Sequence, residues 1–298
     1  MHPGSPAPCQ FRLASPADAP EVHRLFAEYL ASLGLTPDAE LDEDMLAFPA
    51  AYTAPGDTFL LATRADGELL GMGGIRRGEL RRVFVRAPQR GHGVARHLVL
   101  RLLQAASATG RTEFHGVIAR HNDAIREVDL ACGLLPTERT HAHPKQRDCE
   151  ILALTRPPDL ARPGMVIAGG SPAQWQDLLR RFAPQFNVLL VWHESVAATV
   201  QAVCAQTALG HWVGAIRCDV THAVRLPFLA EVAHTIAGPC HVLVALPGAD
   251  VSLAELCRAF APQLAAQPGA RVVRLVGSHD HAEPGTLHDL ATGEPFPE

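Results

Sequence analysis

An apolar run, Leu80-Arg-Arg-Val-Phe-Val85, gives way within eight residues to a stripe at Val94, Leu98, Leu102 and Leu103, and the connection carries Arg90-Gly91-His92-Gly93. The first pattern favours a strand and the second a helix. The chain must turn from strand to helix through two glycines, so the helix N-terminus points at whatever rests on the loop. Its first N–H groups lack intrahelical partners and carry the positive end of the helix dipole, while Gly91 and Gly93 let a ligand approach without side-chain obstruction. A pyrophosphate fits such a loop. Two other phosphate-binding patterns are excluded, because GxGxxG is absent here and no lysine followed by Ser or Thr closes the loop.

Arg90-Gly91-His92-Gly93-Val94-Ala95 matches (Q/R)xxGx(G/A), and in this context it resembles the signature of the GCN5-related N-acetyltransferases. The resemblance covers about residues 10 to 156 and implies a mixed sheet with helices, acetyl-CoA as co-substrate, and a small-molecule or peptide amine as acceptor. It also implies roles. Arg90 to Ala95 would hold the pyrophosphate, and the backbone of Val83, Phe84 and Val85 would bind the thioester carbonyl and pantetheine arm. Glu79, at the head of the strand, stands where similar enzymes often carry a glutamate that accepts the amine proton.

Many relatives have an Asn followed seven residues later by Tyr and then by Gly-Phe, whereas that register here reads Asn122, Asp129, Gly133 and Leu134. The tyrosine is replaced by a carboxyl. A phenol with a pKa of about 10 is protonated at neutral pH and a carboxyl of about 3.9 is not, so Asp129 could donate a proton to the departing thiolate only if strongly buried. Tyr52 is the other candidate donor, with Cys132 and His121 also capable of lying near; Tyr29 falls in an apolar helix stripe and reads as core. A dedicated acid is not obligatory, since a thiolate is a tolerable leaving group. An acyl-CoA-binding sensor with weak turnover is therefore an alternative.

Elements in the first half follow from local pattern. Ser15-Pro16-Ala17-Asp18 opens a helix striped by Val22, Leu25, Phe26, Tyr29, Leu30 and Leu33, and a second helix is expected over Leu41 to Phe48. Strands over Thr58 to Thr63 and Leu69 to Ile75 flank the turn Ala65-Asp66-Gly67. Beyond the glycine loop, Glu113 to Ile118 and Asp148 to Leu154 read as extended, with a helix near Asp123 to Cys132.

At 298 residues the chain is long enough for two domains, and the proline-rich stretch Thr155 to Gly164 divides it into 1–156 and 163–298. The second half alternates short apolar runs (Met165 to Ala168, Asn187 to Trp192, Trp212 to Ile216, His241 to Leu246, Val272 to Val276) with helical segments. One of these helices is striped by Val224, Phe228, Val232 and Ile236, and Ser252 to Glu255 is a capping box for another. Such alternation predicts a Rossmann-like, doubly wound parallel sheet, so the fold class is α/β in both halves. Loop residues at the strand ends include Gly169-Gly170-Ser171, His193-Glu194-Ser195, Asp219, Pro247-Gly248 and Ser278-His279-Asp280-His281. None has the spacing of a metal site or a nucleophile pair. Ligand binding, acceptor positioning, support of a homodimer, and even the main active site remain open for this half.

A formal charge of −5 argues against a general nucleic-acid binder, although Arg76, Arg77, Arg81, Arg82, Arg86 and Arg90 crowd around the glycine loop. No apolar run is long enough to span a bilayer, the first residues have no signal-peptide core, and seven cysteines lie scattered without CxxC pairs. A cytoplasmic protein with reduced thiols is the expectation.

Overall fold

The computed structural model describes residues 9–143, 146–157, 159–192, 194–246, 253–276 and 286–289. Contacts divide the chain into two compact units, one formed by 1–132 with 136–153 and the other by 133–135 with 154–298. Among the described residues, no helix is long and apolar enough to cross a membrane.

The first unit opens with β1 (Gln10–Leu13) and a 3-10 turn leading into α1 (Ala19–Ser32). Ser15 and Asp18 form the expected capping box, and Arg12 ties the Asp18 carboxylate from outside at 2.6 Å. The second helix shrinks to a single turn, α2 (Glu43–Leu46). Asp38 and Asp42 account for this, because their carboxylates accept backbone N–H bonds from Leu41 and Asp38 and hold the approach in turns.

There follow β2 (Thr58–Thr63), β3 (Leu69–Arg76), β4 (Glu79–Val85), α3 (Val94–Ala108), β5 (Glu113–Ala119), α4 (Asp123–Ala131), β6 (Leu135–His143) and β7 (Gln146–Thr155). The strand β6 was not anticipated, for its Thr, Glu, Arg and His residues give no apolar run. Together the strands form a seven-stranded sheet in the order β1-β2-β3-β4-β5-β7-β6, antiparallel up to β4 and parallel between β4 and β5.

Two helices cover this sheet. The face of α1 bearing Val22, Leu25, Phe26 and Leu30 joins Phe59, Leu61, Met72 and Phe84 of the strands in one apolar core. Behind the sheet α3 lies close to β3, where a Cβ on Gly73 would come within 3.2 Å of Leu102 and Val83.

The second unit runs β8 (Gly164–Ala168), α5 (Pro172–Phe182), β9 (Asn187–Trp192), α6 (Val196–Thr207), β10 (Val213–Arg217), α7 (Leu226–Ala237), β11 (Cys240–Ala245), α8 (Leu253–Ala265), β12 (Arg271–Val276) and β13 (Thr286–Asp289). Its six strands are ordered β10-β9-β8-β11-β12-β13. The first five are mutually parallel, and β8 and β9 are buried throughout, as strands covered on both faces must be. The sheet is not wholly parallel, because β13 runs antiparallel to β12.

Val224 does not belong to the buried stripe of α7. It sits in a 3-10 turn one step before the helix and is 85% exposed, while Leu226, Leu229, Val232 and Ile236 supply the apolar face. The tighter period of the turn breaks the stripe at that point. His193, Pro247-Gly248, Ser252 and Ser278 to His281 lie outside the described residues.

Candidate active site

Two β4 residues, Arg82 and Val83, stand opposite the single β3 residue Gly73, since Arg81 pairs with Gly74 and Phe84 with Met72. This is a β-bulge. It bends the strand and leaves one residue out of the ladder. Arg82 takes a left-handed conformation there, with φ of 59°, which costs a non-glycine residue about 1–2 kcal/mol. Its side chain offsets the strain. The guanidinium grips the fully buried Asp44 at 2.5 and 3.1 Å, contacts Asp42 at 3.0 Å, donates to the Leu41 carbonyl at 2.9 Å, and lies over the Phe26 ring. Burial alone would push the Asp44 carboxyl up, but the Arg82 hydrogen bond and charge, with help from Tyr52, hold it below the ordinary carboxylate range.

Past the bulge the sheet opens. β4 pairs with β5 only at Glu79 with His115 and Leu80 with Gly116. Further along, Arg81 to Val83 and Val117 to Ala119 flank a cavity of about 150 Å³ whose walls also carry Asp42, Glu79 and Asp129. A second cavity of about 400 Å³ runs along Val83, Phe84 and Val85 to Arg90, Gly91, Gly93, Val94 and Ala95. Tyr29, Val83, Asn122 and Ile125 border both.

The larger cavity ends on the glycine loop. Gly91 and Gly93 take φ of 81° and 80°, a region that strains other residues, and a Cβ on Gly91 would meet nothing within 4 Å. Gly93 is the N-cap of α3 and no side chain caps that helix, so its first N–H groups remain available to an anion. Arg90 donates to the Val85 carbonyl at 3.0 Å and stacks over Phe84, which fixes the loop against the strand end. His92 is exposed and lines neither cavity.

Much of the arginine charge is already spoken for. Arg76 pairs with Glu43 at 2.8 Å, Arg81 with Glu79 at 3.4 Å, and Arg86 with Glu28 at 3.0 Å, while Arg82 serves Asp42 and Asp44. These arginines are paired with carboxylates and do not add up to a general cationic patch for anions.

Glu79 and Asp129 are brought together on the smaller cavity. Asp129 is buried on α4, facing β5 so closely that a Cβ on Gly116 would lie 2.7 Å from its carboxylate oxygen. Desolvation pushes its pKa up to about 8, so the carboxyl is mostly neutral at pH 7 and can act as a donor. Asn122 caps α4 by accepting from the Ile125 N–H at 3.4 Å and reaches both cavities.

Tyr52 lies elsewhere. It is buried edge-on to Phe59 and donates its phenol proton to Asp44; it lines neither cavity, and burial beside that carboxylate pushes its pKa up. Cys132 is buried with its thiol against the Arg96 carbonyl, and His121 is exposed. Sequence reasoning passed over Tyr29 and Asp42. A tyrosine in an apolar stripe hides a polar tip that wants a partner or a cavity, and this was the one signal available.

Residues 20–128 match the model of the Acetyltransferase (GNAT) family. No curated protein matches the chain by sequence. Among solved structures, the chain is similar to a GCN5-related N-acetyltransferase from Kribbella flavida at 23% identity, with 49% of this chain and 97% of that one covered and a TM-score of 0.42. It is similar also to an acetyltransferase of the GNAT family from Staphylococcus aureus Mu50, at 13% identity, 49% and 98% coverage and a TM-score of 0.43. A third is the spermidine N-acetyltransferase from Vibrio cholerae in complex with CoA and spermine, at 15% identity, 49% and 95% coverage and a TM-score of 0.41. The family's model thus places an acetyltransferase domain of the GNAT family on residues 20–128, within the first unit.

Proposed function

We propose that the protein transfers an acetyl group from acetyl-CoA, the donor its family uses, to an amine held in the smaller cavity. The observation that carries this reading is the meeting of two unlike cavities, one ending on an uncapped helix N-terminus and the other lined by carboxyl groups. The residues fit the donor. Gly91, Gly93, Val94 and Ala95 offer open space and backbone N–H groups for its pyrophosphate, and Val83 to Val85 offer an edge along which its pantetheine arm can lie. When bound, the donor supplies an activated thioester.

The chain's own groups do the rest. An amine is protonated at neutral pH, and Glu79 takes that proton, directly or through one water, so that the nitrogen can attack. The backbone at the β4 bulge stabilises the oxyanion. Asp129, neutral through burial, hydrogen-bonds the acceptor side of the cavity. In this reading residues 1–156 are the catalytic domain and 163–298 form a Rossmann-like second domain, a view supported by the strand order that reverses between β8 and β11.

The test follows free-thiol release from acetyl-CoA over a panel of small amines and short peptides. Wild type should turn over at least one of them, and Glu79→Gln should lose roughly 10²–10⁴ in kcat with little change in CoA affinity. Clear CoA binding by calorimetry without any turnover would point instead to a sensor. No CoA binding would remove both.

A further inference from the structure

Departure of the sulfur is eased by a proton delivered where the donor cavity meets the acceptor cavity. Among the described residues, only Tyr29, Val83, Asn122 and Ile125 border both. Val83 and Ile125 have no exchangeable side-chain proton, and the Asn122 side chain is an amide whose oxygen already caps α4. Asp129 borders the acceptor cavity alone. Tyr29 remains.

Its position is well held. The ring packs on Phe26 at 6.0 Å and on Phe84 of β4 at 5.5 Å between centroids, which fixes the phenol without spending its hydroxyl. No hydrogen bond to that hydroxyl exists among the described residues, whereas the other tyrosine, Tyr52, has its proton committed to Asp44. A half-buried phenol with an unspent hydroxyl beside a cavity is a group kept for a ligand.

We infer that Tyr29 is a catalytic residue of the proposed acetyl transfer, giving its phenolic proton to the thiolate of CoA as the carbon–sulfur bond breaks. The inference rests on the acetyltransferase reading above. In this step the electron pair of the broken bond goes to sulfur, the Tyr29 proton joins it to form the thiol, and the carbonyl re-forms as the amide. The second proton of the attacking nitrogen passes to solvent as the neutral amide forms, and the phenolate is reprotonated from solvent through the open cleft, so an ammonium acceptor gives up two protons, one of which is regained in the thiol. Burial above all pushes the phenol's pKa up, with the charges of Asp42 and Asp44 acting the same way and those of Arg82 and Arg81 against it, so the proton is in place at neutral pH.

The deciding experiment needs no knowledge of the acceptor. CoA and S-methyl-CoA are bound calorimetrically to the full chain in two buffers of different ionisation enthalpy at about pH 8.5, where a thiol titrates. A donor to the bound thiolate favours its ionisation, so wild type should release more protons with CoA than with S-methyl-CoA. Tyr29→Phe, which keeps the ring and its packing, should bind both ligands within a few-fold of wild type and lose that excess. With n-butylamine as probe acceptor, its kcat should fall roughly a hundredfold while KM for acetyl-CoA is retained. An unchanged excess in Tyr29→Phe overturns the assignment, as does its loss in Asp129→Asn instead. Failure of wild type to bind CoA would strike the acetyltransferase reading itself, a different result.

Discussion

Asp129 shows how little a residue's identity says about its chemistry before its surroundings are known. In sequence it is an anion standing where related chains place a phenol, and in the fold it is a buried acid that holds its proton to about pH 8. That has a price in stability, and the sign follows from proton counting. Between its ordinary value of 3.8 and about 8 the folded chain binds a proton that the unfolded chain has released, so this group's contribution to stability declines as pH rises through that window. Asp129→Asn cannot ionise. Its unfolding free energy should therefore fall less than that of wild type between about pH 4 and 8, the gap widening by up to about 1 kcal/mol per unit, as denaturant titrations at several pH values would show. Equal slopes for the two proteins would mean that Asp129 is ionised in the folded state.

The element that matters most is β4, and what makes it functional is a local failure of regularity. Its Leu80, Val83, Phe84 and Val85 read as strand residues, and the Arg81-Arg82 doublet, which breaks a strict alternation, does not by itself say that an extra residue is inserted there. The bulge is held from a distance, by Asp42 and Asp44 on and beside α2, some forty positions earlier in the chain. Removing Asp44 would leave the buried Arg82 charge with Asp42 as its remaining carboxylate and the strained backbone without its main anchor. Asp44→Ala should destabilise the first unit by about 3–5 kcal/mol in denaturant unfolding and weaken CoA binding along with it. If the variant unfolds like wild type, the bulge is set by the ladder itself.

At the scale of the molecule, the chain carries two sheets of different construction, each with its own core. Gly164, at the start of β8, offers a way to disturb one of them: a Cβ there would sit 2.4 Å from the backbone carbonyl of Pro239, a contact that no side chain can relieve. Gly164→Ala should lower the thermal unfolding of the second sheet by several degrees while CoA affinity of the first unit stays within a few-fold of wild type. A matching loss of CoA affinity would show that the two units do not stand independently. The strands and helices of both sheets were largely legible from periodicity, because burial on one face or two writes itself into spacing. Exceptions were β6, whose polar residues pair without an apolar run, β13, which was not anticipated, α2, which shortens to one turn, and Val224, where a 3-10 turn interrupts a helical stripe.

The sequence by itself determined where strand must turn to helix and where two glycines open the backbone at that turn, since glycine spacing and apolar period are local properties. It also placed Glu79 on the same strand as the loop. The tertiary structure alone decided which acids face the reacting atoms, because ionisation and access depend on neighbours far away in the chain. Burial holds the proton on Asp129, the Asp44 contact engages the Tyr52 phenol away from both cavities, and the parting of β4 from β5 lets Tyr29, packed against the core, also border two cavities.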